Sequence, residues 1–236
     1  MRTRASPPRV FAIVPAAGRS RRMGRPKQLI DVRGRPMLLA VVEPLLAAGA
    51  AGVVVVTRGD IRAALAQHPL GGAQPRLWFA ENADPDAEMI DSVRIGVRFW
   101  RARLGTAGDA QPDDAGVGGA PPCAARPGDG LLICPGDQPD ISAADINLCI
   151  RAFRESPRSI VIAARAGRRG HPIVFPVADA DFVESPACSR GLNALPRSAP
   201  ARVRLIECPS AGVTRDIDTP KDLAGELSRT RRRLPP

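Results

Sequence analysis

Short unbroken runs of aliphatic and β-branched residues recur along this chain, separated by stretches whose apolar positions fall every three or four residues. Residues 10–14 are apolar throughout and 53–57 are all β-branched, the pattern of strands covered on both faces rather than the alternation of a half-exposed sheet. Further strands are expected at 76–80, 131–134, 160–164, 173–175 and 203–207. Helical spacing appears between them. Val93, Val97 and Trp100 share one face of a helix over 92–103, and shorter helices are expected at 36–48 and 61–67. Pro36 suits the first turn of its helix, whereas Pro44 must kink it or interrupt its hydrogen bonding. Ser142 and Asp145 form a capping-box pattern opening a helix to about Phe153, and Thr219-Pro220 with Asp222 opens a last one. Strands alternating with helices predict an α/β protein: a three-layer, Rossmann-like arrangement around a mostly parallel central sheet.

Composition adds the boundaries. Residues 1–9 and 229–236 contain no acid but hold seven arginines, which leaves about +3 of the net +10 for the body. These ends are read as a solvated, disordered head and a basic tail on a single domain spanning 10–228. Residues 105–129 turn to Gly, Ala, Pro and Asp and are read as a flexible insertion, since strand-like sequence resumes at once. With the charge concentrated at the ends, nucleic acid is disfavoured as a partner against a small anionic ligand. The longest uncharged run, 44–57, holds two glycines and a β-branched strand and does not read as a membrane span. The five cysteines show no C-x-x-C spacing, and Cys134 and Cys149 lie in apolar runs where they serve as core. Together with the absence of a leader-like apolar segment, this points to a reducing cytoplasm. The chain has no tyrosine and only two histidines, so a tyrosine acid/base and a histidine metal site are both excluded.

Three segments carry candidate chemistry. After the first strand, "PAAGRSRRMGRPK" joins a small-residue turn to five cations between Arg19 and Lys27. Ala16, Ala17 and Gly18 let backbone N–H groups approach an anion, at the strand end where open α/β sheets bind ligands. Lys27 offers a compact charge for a phosphate, and Arg19 or Arg22 a forked one. Neither common phosphate loop fits: five residues separate Gly18 from Gly24 and Arg25 follows, unlike a Walker loop, and no G-x-G-x-x-G occurs. A solvated turn remains the bland alternative. In "ICPGDQPDI", Asp137 at the end of a strand could hold Mg²⁺ against a triphosphate or simply cap its own turn. In "RDIDTPKDL", Asp216 and Asp218 face one side of an extended segment, with Asp218 favoured as metal ligand.

"VPAAGRSRRMGRPKQL" resembles the signature of the nucleotidyltransferases related to molybdenum-cofactor guanylyl- and cytidylyltransferases, a group that includes sugar-nucleotide pyrophosphorylase domains. "GDQPDI" and "DIDTPKDL" resemble that family's second and closing motifs. "GHPIVF" and "EMIDSVRIG" resemble the cytidylyltransferase branch. The resemblance implies a nucleotide-diphosphotransferase fold and transfer of a nucleotide, CMP from CTP in the favoured case, to a phosphate-bearing acceptor such as a molybdopterin cofactor, with Mg²⁺. It implies that Ala16, Ala17 and Gly18 line the nucleoside end and that Arg19, Ser20, Arg22 and Lys27 hold phosphates. Asp137 and Asp218 would then share Mg²⁺, Asn82 and Ser92 lie near the base, and His171 and Gly191 face the acceptor. The segment 187–195 departs from the branch and keeps only Gly191, which puts the acceptor in question. Guanylyl or sugar-phosphate transfer is the alternative chemistry. A non-catalytic NTP-binding protein that helps mature a molybdoenzyme partner is the alternative class.

Overall fold

The computed structural model describes residues 6–69, 71, 74–104, 126 and 128–233. Most of the expected insertion, together with Cys123, lies outside the described residues, as do 1–5 of the head and 234–236 of the tail. Seven strands form one sheet: β1 (Val10–Pro15), β2 (Gly52–Thr57), β3 (Leu77–Glu81), β4 (Gly130–Ile133), β5 (Ile160–Arg165), β6 (Arg168–Pro176) and β7 (Val203–Glu207). Their order is β3-β2-β1-β4-β6-β5-β7, parallel except where β6 runs against β4 and β5.

The apolar strands are explained by two cores that share them by parity. Val10, Ala12 and Val14 of β1, with Val53 and Val55 of β2, face α1 (Met37–Ala47), α2 (Gly59–Leu65) and α4 (Ala143–Glu155). Phe11, Ile13, Val54 and Val56 face α3 (Met89–Leu104) and two short helices, α5 (Ala180–Glu184) and α6 (Ala194–Ser198). Because successive strand residues point to opposite faces, a strand covered on both sides is apolar at both parities, and the one buried polar side chain of β2, Thr57, is hydrogen-bonded to Ala16 O. The three-layer fold expected from the sequence is therefore present. Leu38, Leu39, Val41, Cys134 and Cys149 are core residues, as read. Among the described residues, no helix is long and apolar enough to cross a membrane.

Two departures from the sequence reading have local causes. β6 begins at Arg168, five residues before the expected start, because Ala166 and Gly167 both take positive φ (49° and 75°) in a two-residue turn. Such a turn matches strand twist and closes a hairpin, which makes β6 antiparallel. Residues 177–202 hold five short helical turns of three to five residues each, too short to show a periodicity in sequence.

The expected boundaries are also structured at their inner ends. Arg9 donates from its backbone and guanidinium to buried Asp129, at 2.9 and 2.6 Å, so the last residue of the head is tied to the last residue of the insertion. The closing helix α7 (Pro220–Arg233) continues through 229–233 of the tail.

Two contacts position the residues discussed below. A small apolar cluster of Met23, Ile30, Val32, Met37, Ile217 and Leu223 lays the closing segment of the chain onto the turn that follows β1. On the other side, α3 presses against β1 at Gly96, where a Cβ would fall 2.3 Å from Ile13 Cγ2. Gly96→Ala is accordingly expected to cost about 1–3 kcal/mol by overpacking. Urea denaturation checks it; an unchanged midpoint would show that α3 does not hold β1 this closely.

Candidate active site

The turn after β1 leaves the sheet at Ala16, whose N–H still bonds Val56 O at 2.8 Å. It then folds through two 3-10 turns, Arg21–Met23 and Lys27–Leu29. Ser20 and Gly24 both take positive φ (55° and 64°), which reverses the chain twice and returns Lys27 toward the sheet. The Ser20 hydroxyl closes this loop by accepting the Lys27 N–H at 3.1 Å. Buried Gln28 completes it, donating Nε2 to Ala16 O at 2.8 Å and Gly18 O at 2.7 Å.

Lys27 reaches the carboxyl ends of β1 and β4 and meets two carboxylates there. Its Nζ donates to Asp137 Oδ2 and to Asp218 Oδ1, each at 2.7 Å. Arg22 adds a second cation to Asp218 at 3.0 Å. The two acids arrive from different directions, Asp137 from the turn after β4 and Asp218 from the segment before α7. These segments are joined by the Ile217 N–H, which donates to Asp137 O at 2.9 Å. Arg33 braces the same turn through Pro139 O at 2.5 Å, and Arg215 through Asp140 at 3.1 Å.

The electrostatics follow from this crowding. Burial works against the Lys27 charge, yet the carboxylates of Asp137 and Asp218 outweigh it and hold the ammonium above the usual lysine range. Burial pushes Asp137 above the usual carboxylate range, with Lys27 opposing. The hydrogen bond from Lys27 holds the less buried Asp218 below it. A cation is therefore built into the space between two acids.

A cleft of about 130 Å³ opens over these groups, lined by Ala16, Ala17, Gly18, Lys27, Ser92 and Asp137 among others. Gly136 lets the floor close, since a Cβ there would lie 2.9 Å from that of Ala16. At Gly18 a Cβ would meet nothing within 4 Å, so the protein itself does not demand glycine there.

The sequence candidates distribute unevenly around this cleft. Ala16, Ala17, Gly18, Lys27, Ser92 and Asp137 are brought together, Asp218 joins through Lys27, and Arg22 through Asp218. Ser20 bonds the loop itself, and Asn82 sits behind Ser92, bonding its hydroxyl at 3.0 Å. Arg19 and Asp216 are exposed. His171 and Gly191 do not line the cleft. His171 lies near the start of β6, where burial pushes it down to about 4 and leaves it neutral, with Nδ1 unpartnered among the described residues. Gly191 takes φ 107° in the run of short turns after α5. Sequence reasoning missed Gln28 and also Arg58, which donates to Ala17 O at 3.2 Å and Gly18 O at 3.1 Å. The adjacency of Gln28 to Lys27 was the one available signal; Arg58 had none.

The chain has known relatives. A family model described as the MobA-like NTP transferase domain matches residues 12–203. A probable molybdenum cofactor guanylyltransferase of Rhodopirellula baltica is 28% identical, covering 96% of this chain and 95% of its own. A nicotine blue oxidoreductase of Paenarthrobacter nicotinovorans is 27% identical, over 90% of this chain and 93% of its own. Among solved structures, Rv0371c of Mycobacterium tuberculosis H37Rv in complex with manganese superposes with a TM-score of 0.60 at 20% identity. That match covers 93% of this chain and 98% of that one.

Removing the cation should expose the strain between the acids. Lys27→Met is expected to lower stability by about 1–2 kcal/mol at pH 8, a value reduced for partial solvent access. Without Lys27, Asp137 is raised further, so the deficit holds above its raised pKa and shrinks as pH falls through it. Thermal denaturation across a descending pH series checks this, and a deficit independent of pH contradicts it.

Proposed function

The chain belongs to the MobA-like NTP transferase domain family and is a nucleotidyltransferase; we propose that it transfers CMP from CTP, with Mg²⁺, to a phosphate-bearing acceptor of the molybdopterin type. The observation that carries this reading is the Lys27 ammonium held between Asp137 and Asp218 at the mouth of a small-residue loop. A triphosphate needs cations and backbone donors on one side and a metal held by carboxylates on the other. Mg²⁺ takes one or two carboxylates and completes its shell with phosphate oxygens and water. Asp137 and Asp218 already converge on one cationic nitrogen, so the donor set suits that ion. Among the described residues, no group of three or more His, Cys, Asp or Glu offers a wholly protein-built cage.

In this reading, an oxygen of the acceptor phosphate attacks the α-phosphorus of the NTP. The bond from that phosphorus to the bridging α–β oxygen breaks, and pyrophosphate leaves with the electron pair. When bound, Mg²⁺ supplies charge neutralisation on the triphosphate. The chain supplies the remainder. Lys27, Arg22 and Arg19 hold the phosphates, and the backbone of Ala16, Ala17 and Gly18 receives the nucleoside end. Ser92, fixed by Asn82, borders the base, while His171 and Gly191 belong to the acceptor side. An acceptor that is already a phosphate anion needs no strong general base, which agrees with a chain without tyrosine and with neutral His171. Catalysis rests on alignment and charge. The cytidylyl preference is supported by "GHPIVF" and "EMIDSVRIG", and maturation of a molybdoenzyme would be the setting.

Pyrophosphate release from each NTP, with Mg²⁺ and molybdopterin or sugar-phosphate acceptors, tests the reading. CTP with molybdopterin should be turned over, and Lys27→Ala or Asp137→Ala should each lower kcat/KM about 10²–10³-fold without unfolding the protein. A preference for GTP would assign guanylyl transfer, and NTP binding without turnover would assign an accessory role. Redox turnover of nicotine blue without pyrophosphate release would overturn the reading in favour of the chemistry named for the Paenarthrobacter relative.

A further inference from the structure

The carbonyl groups of Ala16, Ala17 and Gly18 are all bonded from behind the loop. Ala16 O accepts from Gln28 Nε2 at 2.8 Å and from Thr57 Oγ1 at 3.2 Å. Ala17 O accepts from Arg58 Nη1 at 3.2 Å. Gly18 O accepts from Gln28 Nε2 at 2.7 Å and from Arg58 Nη1 at 3.1 Å. In a trans peptide the C=O and N–H of one plane point in opposite directions. The peptide units with these carbonyls carry the N–H groups of Ala17, Gly18 and Arg19. Turning each carbonyl backward therefore turns those three N–H groups forward, and no acceptor among the described residues takes them.

Both donors are themselves fixed. Arg58 spends Nε and Nη2 on the two oxygens of Asp60, each at 3.1 Å, which leaves Nη1 aimed at the loop. Gln28 is buried, with its Oε1 3.4 Å from the Ser20 hydroxyl that also anchors Lys27. A guanidinium on a carbonyl also draws charge from its peptide, which strengthens the N–H on the far side as a donor.

We propose that Gln28 and Arg58 are positioning residues for the nucleotide: they set the donor array of the loop without touching the ligand, and so govern NTP affinity. This rests on the loop being the NTP site. Arg58, a cation beside a site for anions, then acts through the backbone and not on a phosphate.

The test is calorimetric titration of CTP, with Mg²⁺, into wild type, Arg58→Met, Arg58→Lys and Gln28→Glu, alongside steady-state kinetics and thermal denaturation. Arg58→Met should weaken CTP binding about tenfold, the effect of one hydrogen bond to a charged donor. KM for CTP should rise in step while kcat at saturation stays near wild type, and Arg58→Lys should recover part of the affinity. Gln28→Glu, which replaces a donor by an acceptor facing two carbonyls, should lose more. With CTP and Mg²⁺ bound, hydrogen exchange at Ala17, Gly18 and Arg19 should be slowed less in Arg58→Met than in wild type, which reports the misaligned donors directly. Wild-type affinity in both Arg58→Met and Gln28→Glu overturns the inference while leaving the NTP site standing, as does a fall in kcat alone with CTP affinity intact. Wild-type protein that binds no NTP overturns the site and the inference together.

Discussion

Everything in the site depends on one ammonium group held by two carboxylates. Lys27 stands 110 residues before Asp137 and 191 before Asp218, yet its nitrogen lies 2.7 Å from each. Two acids at the end of a buried sheet would repel each other, and Asp137 is already pushed up by burial. The lysine makes their approach tolerable. Its own charge is maintained by them against the same burial. The arrangement thus sets one cation beside two anions, the pairing that the proposed ligand, a triphosphate with its counter-ion, would need.

The rest of the fold brings these three residues to one place. Parallel β1 and β4 are neighbours, so the turns leaving their carboxyl ends open side by side. The cluster of Met23, Ile30, Ile217 and Leu223 then holds the closing segment against the first loop, and the Ile217–Asp137 backbone bond sets its height. Two cores clamp the sheet from both faces, which leaves the strand ends as the free surface. The loop's own carbonyls are bound from behind by Gln28, Arg58 and Thr57, and its amides face the cleft.

How much of this was legible in the sequence varies with the range of the interaction. Strands such as 53–57 were legible because burial on both faces leaves an unbroken β-branched run. The Ser142–Asp145 cap was legible because its partners are three residues apart, and both reciprocal bonds are present. The loop cations and both acids could be picked out as types of chemistry. Their meeting could not, since it depends on strand order. The β5–β6 hairpin was missed because Ala166 rarely takes positive φ, so the turn did not announce itself. Arg58 was invisible for a deeper reason: it acts on backbone carbonyls 40 and 41 residues earlier, which no side-chain motif records. His171 and Gly191 could be named only through resemblance, and they stand apart from the cleft.

The central claim is that Lys27, Asp137 and Asp218 form a site for a nucleoside triphosphate with its metal. A thermal-shift series with CTP, GTP, ATP and UTP, each with and without Mg²⁺, tests it most directly, because stabilisation follows ligand affinity. The account predicts that CTP with Mg²⁺ raises the Tm of the wild type more than CTP or Mg²⁺ alone, and that Asp218→Ala removes the Mg²⁺-dependent part. A Tm that no NTP moves, with or without the metal, would contradict it.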